Sequence, residues 1–344
     1  MKYISINTNT LSQIWEVELY VKNFIRFGVN PSDIIVVVKG QENEDLLQGF
    51  KDLLNDKINV YYYCDTRVST YYFLSFRPHI LAKLFEEEPW LQNEQIFYHD
   101  SDIIFSDFPN LETLTKDRTW LSDTNNYINY DYIVQKGNTI ADDLATICGI
   151  SVEDIKSINH KSGGCQYVFD SVTSGFWKKV EHDCELMFNY LNLNRNRFEK
   201  EWIELNNDKL VRFNNKLYTL NWIPGCDWKN NTITIDNVLY YEVAYHEIQA
   251  HTADMWSVLY NLIFFKKDFE LHDKLRFTWA TDENKPFYKY LIYHNTGPQS
   301  DKEGHFYKRL YNYNKPWDSD LSYVSETSNS NYYIEEMRIT GFLK

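Results

Sequence analysis

The feature that most narrows the fold is a change of period repeated along the first hundred residues. Tyr3 to Asn7 is a short β-like run, and from Ser12 to Phe27 the apolar residues Ile14, Val17, Leu19, Val21, Phe24 and Ile25 recur at helical spacing. Ile34 to Val38, IIVVV, is a continuous β-branched run, the pattern of a strand buried on both faces of a parallel sheet. Leu46 to Leu54 reads as helix and Val60 to Tyr63 as strand. Phe73 to Glu88, FLSFRPHILAKLFEEE, reads as helix with Pro78 in its first turn. Strand alternating with helix predicts an α/β fold with a parallel sheet, and ligands at the carboxyl ends of its strands.

The stretch that follows, IFYHDSDIIF (Ile96 to Phe105), sets two acidic residues between strand-like apolar runs. Carboxylates are costly to desolvate, so the pair needs a partner. In a strand, residues i and i+2 share a face, so Asp100 and Asp102 could hold one cation, and oxygen ligands suit Mg²⁺ or Mn²⁺. A solvated turn is the plain alternative, since D-x-D is a common triplet.

Beyond residue 110 the pattern is less regular. Thr119 to Gly137 is polar and aromatic, Thr139 to Gly149 reads as a short helix, and Ile150 to Ile155 begins another. Gly163-Gly164 leads into CQYVFD, a strand, and Ser174 to Leu193 is a long helix. Tyr218 to Trp228 and the following NTITIDN read as loop and hairpin. Glu247 to Phe265 is the strongest amphipathic helix, and after Trp279 the chain becomes loop-rich. No repeat or linker interrupts the 344 residues, which predicts one continuous domain, 1–344, with a C-terminal extension.

Composition excludes several classes. A formal charge of −14 gives no basic footprint for non-specific nucleic-acid binding. The five cysteines are odd in number and far apart, with no C-x-x-C spacing, which predicts reduced thiols in a cytoplasmic setting. The start carries no apolar signal segment and no uncharged run is long enough to span a bilayer, so no integral membrane segment is expected. There is no G-x-G-x-x-G after the first strand, no P-loop and no G-x-S-x-G. After His246-Glu247 the next histidine is His251, one residue late for H-E-x-x-H; a five-residue step turns about 140° around a helix and breaks that zinc geometry.

Other residues could carry chemistry. On the Glu247–Phe265 helix, Glu247, Asp254 and Asn261 are seven apart and share a face with His251, which makes Asp254 a candidate base or charge stabiliser. Gly163 and Gly164 would let the backbone approach a ligand, and Gln166 could bond sugar hydroxyls or a neighbouring strand. Thr8 and Asn9 follow the first strand and Thr66 and Arg67 the third, where an α/β sheet opens to a nucleotide. The tyrosine clusters Tyr61–Tyr63, Tyr71-Tyr72 and Tyr332-Tyr333 could stack sugars or pack the core.

With these motifs in order, the chain resembles the nucleotide-sugar glycosyltransferases of the GT-A fold, distantly those of the glycogenin-like family. The likeness rests on the D-x-D, on Arg77 in FRPHIL, on KSGGCQYVF, on the Asp254 helix, and on HNTG (His294 to Gly297) followed by KPW (Lys315 to Trp317). It implies a Rossmann-like mixed sheet flanked by helices with a loop-rich extension: a nucleotide-binding half at 1–110, a donor-sugar and acceptor half at 111–280, and metal and phosphate contacts from 281–344. It further implies that His294 is the third metal ligand beside Asp100 and Asp102. Arg77, Asp100, Ser101, Gly163, Gly164 and Gly297 would lie along the sugar nucleotide. In the family the His and the Lys-Pro-Trp stand closer together than here, which leaves Lys308 and Lys315 as equal candidates for the diphosphate.

The expected function is therefore metal-dependent transfer of a sugar from a nucleoside-diphosphate sugar, UDP favoured, to an acceptor hydroxyl, with Asp254 and Gln166 as the catalytic candidates. The acceptor stays open among carbohydrates, other hydroxyl compounds and modified phage-type DNA, which the acidic charge disfavours. The alternatives are a metal-dependent hydrolase or nucleotidyltransferase using Asp100, Asp102 and the Glu247/His251/Asp254 set, and a non-catalytic glycan-binding module.

Overall fold

The computed structural model describes residues 1–137, 139–193, 248–282, 290–298 and 300–343, together with four short strands between 210 and 241. The predicted alternation of the first half is present. Strands β1 (Lys2–Thr8), β2 (Ile34–Gly40), β3 (Asn59–Cys64) and β4 (Gln95–Tyr98) alternate with helices α1 (Leu11–Arg26), α2 (Gln48–Leu53) and α3 (Phe76–Glu87). These four strands are parallel and ordered 3-2-1-4, the strand order of one half of a doubly wound sheet. Ile34 to Val38 are all fully buried, as an IIVVV strand with helices on both faces requires.

Past β4 the sheet departs from a purely parallel one. A short strand, β5 (Ile103–Phe105), leaves the main sheet; β6 (Thr119–Asp123) and β7 (Gly163–Asp170) return to it. β7 runs antiparallel to both β4 and β6. Between β6 and β7 lie four short helices: α4 (Asn125–Ile128), α5 (Tyr130–Lys136), α6 (Ile140–Cys148) and α7 (Val152–Ser157). Helix α8 (Ser174–Leu193) has the bounds read from the sequence. Two hairpins follow, β8 (Leu210–Phe213) with β9 (Lys216–Thr219) and β10 (Thr232–Ile235) with β11 (Val238–Tyr241), the second where NTITIDN predicts one.

The helix expected over Glu247–Phe265 is shorter than its periodicity suggests. Ala250–Thr252 forms a tight 3₁₀ turn, and helix α9 runs only from Ala253 to Phe264. His251 therefore lies ahead of the helix, and Glu247 lies outside the described residues. Strand β12 (Phe269–Leu271) then adds to β6 in parallel, completing a seven-stranded mixed sheet, β12-β6-β7-β4-β1-β2-β3.

The loop-rich tail builds a second, small sheet. Strands β13 (Phe277–Trp279) and β14 (Ile292–His294) are parallel, and β14 pairs antiparallel with β5. The tail, expected to be loop-rich, also holds a helix, α10 (Asn331–Ile339). One core packs α3, α6, α8 and α9 on one face of the main sheet, and another packs α1 and α2 on the opposite face. A third joins Trp15 and Leu19 of α1 to Phe306, Tyr311, Tyr333 and Met337 of the tail, which locks the tail beside the end of β4.

Candidate active site

The acidic pair stands where β4 ends and β5 begins. It is not on a strand, so a turn rather than strand alternation brings the two carboxylates together. The turn is fixed from three sides. His99, fully buried against Tyr20, Phe24 and Phe97, takes its backbone N–H to the Ile4 carbonyl and places Nδ1 2.8 Å from the Asp100 carbonyl. Burial pushes the His99 pKa down to about 4, so its imidazole is neutral and Nδ1 carries the proton to that carbonyl. Asn23 of α1 donates to the Phe105 carbonyl at 3.0 Å and accepts from its N–H at 2.7 Å, mimicking a strand along the edge of β5. Asn295 donates its N–H to the Asp102 carbonyl at 2.9 Å.

The β5–β14 pairing sets His294 opposite Ile103. Its Nε2 lies 3.1 Å from Asp102 Oδ1 and 3.5 Å from Asp100 Oδ2, though the residues are nearly two hundred positions apart in the chain. The ring is held by stacking on Trp279 and an edge contact with Phe277, and its Nδ1 is buried without a partner among the described residues. Two carboxylates flanking one imidazole nitrogen are a donor set that suits a divalent cation.

Cationic groups border this set. Lys308 Nζ pairs with Asp102 and lies 3.8 Å from Glu16 of α1. Burial raises the Asp102 pKa, but Lys308 and His294 outweigh it and hold the carboxyl well below its usual range. Arg77, in the first turn of α3, puts Nη2 3.0 Å from Asp100 Oδ1 and Nη1 3.8 Å from Asp254 Oδ2. Asp254 sits in the first turn of α9, accepting from the Met255 N–H at 3.0 Å. The Tyr72 hydroxyl is 2.8 Å from Asp254 Oδ1 and 2.6 Å from the His251 carbonyl, one proton facing two acceptors. Burial raises the Asp254 pKa above its ordinary value against the opposing charge of Arg77.

All of these groups except Glu16 and Tyr72 line one cleft of about 540 Å³, walled by Tyr98, Tyr127, Tyr167, Trp177 and Trp279. That volume suits a small ligand or part of a larger one. The cleft gathers Asp100, Asp102, His294, Lys308, Arg77, Asp254, His251 and Thr296.

Other candidates from the sequence lie elsewhere. Ser101 turns away from the cleft to donate to Glu16 at 2.6 Å. Gln166 is fully buried and does not line the cleft; strand alternation points it toward the opposite face, with Val168. Gly163 and Gly164 are close-packed: an added Cβ would meet the Ser122 carbonyl at 2.4 Å in one and Met255 Cε at 2.6 Å in the other. Gly297 turns the chain at φ +110 after Thr296. Thr8 bonds Thr10, and Asn9 braces the segment before α2 through the Asp45 carbonyl and Leu47 N–H. Thr66 meets His79 and borders a second cavity, between the end of β3, α3 and α8. Arg67 is tied to Asp65 at 2.8 Å. Of the two lysines, Lys315 is paired with Glu18 at 2.6 Å, and only Lys308 reaches the acidic pair. Among the tyrosines, Tyr63, Tyr72 and Tyr333 are core residues, and Tyr71 is exposed.

Sequence reasoning missed four participants. Glu16 and Asn23 are polar residues seven apart on the buried side of α1, a pattern visible in the sequence. Trp279 lies in a three-residue strand too short to show a period. Cys165 enters the cleft through a left-handed backbone, φ +69, that no local pattern announces.

No family model matches the sequence, and no curated protein does. Among solved structures the chain is similar to the glycosyltransferase GlyE of Streptococcus pneumoniae TIGR4, at 10% identity over 98% of this chain and 64% of that one, TM-score 0.37. It is also similar to mouse xyloside xylosyltransferase 1, at 9% identity over 86% of this chain and 97% of that one, TM-score 0.36. Likeness this distant carries neither activity nor substrate. Among the described residues no helix is long and apolar enough to cross a membrane.

Proposed function

We propose that the chain is a metal-dependent glycosyltransferase of the GT-A kind, moving a sugar from a nucleoside-diphosphate sugar, UDP-linked in the first instance, to an acceptor hydroxyl. The observation that carries this reading is the meeting of Asp100 and Asp102 with His294 at the carboxyl end of β4, inside an aromatic-walled cleft. Strand ends of this kind are where open α/β sheets take their ligands.

Loss of a nucleoside diphosphate from the anomeric carbon builds negative charge on the leaving group, so the site must stabilise that charge. Asp100, Asp102 and His294 would hold a Mn²⁺ or Mg²⁺ ion, which supplies positive charge to the diphosphate when bound. Lys308, between Asp102 and Glu16, adds a cation on the same side. Arg77 neutralises Asp100 and Asp254 from the α3 side. Asp254, with its raised pKa and its place at the cleft wall, serves at the sugar or the acceptor hydroxyl. Tyr98, Tyr167 and Trp279 offer apolar faces to a sugar ring.

A metal cluster built from Asp100, Asp102 and the Glu247/His251/Asp254 set, as a hydrolase or nucleotidyltransferase would need, fits less well, because the Arg77 guanidinium bridges Asp100 and Asp254 where a shared cation would have to lie, and Glu247 is outside the described residues. Thermal unfolding with UDP or GDP, each with and without Mn²⁺, tests the proposal. A rise in Tm that needs both nucleotide and metal supports it, by linkage of binding to stability. No response to either nucleotide under any metal condition rules it out.

A further inference from the structure

One group of three side chains among the described residues brings potential metal-ligand atoms within 4.8 Å of one another, and it is not the pair and histidine of the D-x-D reading. It is Asp100, Cys165 and His294. Asp102 stands beside this group, 3.1 Å from His294 Nε2 and paired with Lys308. We infer that the Cys165 sulfur joins Asp100, Asp102 and His294 as a ligand of the cation held at this site, which turns the site's preference from Mg²⁺ toward borderline metals such as Zn²⁺, Fe²⁺ or Co²⁺. The inference rests on the proposal that a divalent cation binds here and assigns that cation's chemical class.

Three observations support it. A tetrahedral ion with bonds of about 2.0–2.3 Å needs ligand atoms about 3.5 Å apart, so the observed group requires only a small contraction. The backbone around Cys165 is shaped to present the side chain to the cleft. Gly163 and Gly164 have no room for a Cβ, and Cys165 follows them at φ +69, a conformation in which glycine would be unstrained and adds no side chain. Among the described residues the sulfur has only two weak hydrogen-bond contacts, the Tyr127 hydroxyl at 3.7 Å and Met255 Sδ at 3.9 Å. Thiolate, imidazole and carboxylate together form a set that favours zinc-like ions, whereas Mg²⁺ prefers oxygen alone.

Co²⁺ titration of the full chain, followed by absorption spectroscopy, tests this without reference to any activity. The expected result is visible d–d bands together with a near-ultraviolet sulfur-to-cobalt charge-transfer band. In Cys165→Ser the charge-transfer band is lost while the d–d bands persist, and circular dichroism verifies that the variant is folded. Cys148 and Cys184, buried and outside the cleft lining, serve as internal controls. Metal should also protect the Cys165 thiol from alkylation, read by peptide mass spectrometry. Cobalt bound in the native chain with d–d bands but no charge-transfer band overturns the sulfur ligand and leaves the metal site standing. No cobalt bound at all overturns both. A charge-transfer band that survives Cys165→Ser assigns the sulfur to another cysteine and also overturns the inference.

Discussion

Asn23→Ala is the perturbation that most sharply probes how the site is held. The Asn23 amide closes both backbone groups of Phe105, N–H and carbonyl, inside the core between α1 and β5. Alanine leaves two buried polar groups unpaired, and each such loss costs roughly 1–3 kcal/mol. A total of about 3 kcal/mol follows, counting the lower half of that range twice. At roughly 2.1 cal/mol/K per residue over 344 residues, the unfolding entropy makes this a fall of about 4 °C in Tm. A second readout ties the change to the site. β5 leads directly from Asp102 and pairs with the strand that carries His294, so loosening it should also weaken Mn²⁺ binding measured by calorimetry. A variant with unchanged Tm and unchanged metal affinity would refute the idea that Asn23 pins the acidic turn.

Three further outcomes are expected. Burial raises the Asp65 carboxyl, but the hydrogen bonds and charge of Arg67, with Lys39, hold it well below the usual range, so its stabilisation is fully present above the unfolded pKa of about 4 and is lost progressively as pH falls from there through the much lower folded value. Asp65→Asn should therefore cost about 3–5 kcal/mol near pH 7 and about 1 kcal/mol less near pH 3, the gap closing further at lower pH, read as Tm across that range. Lys308→Met removes the cation that competes for Asp102, so metal should bind more tightly while UDP binds about 10- to 100-fold more weakly by calorimetry. Asp254→Asn should lower sugar transfer by about 10²- to 10⁴-fold while leaving UDP affinity near that of the native chain, measured by product formation and by binding.

The parts of this fold that were legible in the sequence are those whose burial is two-sided or strongly periodic. IIVVV, the α1 periodicity and the whole of α8 declare themselves because their buried residues recur at a regular spacing along the element. The strands β6, β12 and β13 do not. Each is three to five residues long and is defined by a partner remote in sequence, so no local period marks it. The α9 boundary was missed because Ile248 and Ala250 keep an apolar rhythm ahead of the helix, while the chain breaks into a 3₁₀ turn with Thr252 as cap. At the site, the nearness of His294 to Asp100 and Asp102 was suggested by motif order and depends on the β5–β14 pairing, which neither segment shows alone. Glu16 and Asn23 were visible as polar breaks in an apolar helix face. Cys165 was not, because a positive φ leaves no trace in residue type.

Isothermal titration of UDP into the native chain, with and without a divalent cation, tests the central claim most directly when paired with His294→Ala. The account predicts binding that requires the cation and is lost with the His294 side chain, since His294 would complete the set that Asp100 and Asp102 begin. UDP binding that is equally strong without metal, or unaffected by His294→Ala, would contradict it.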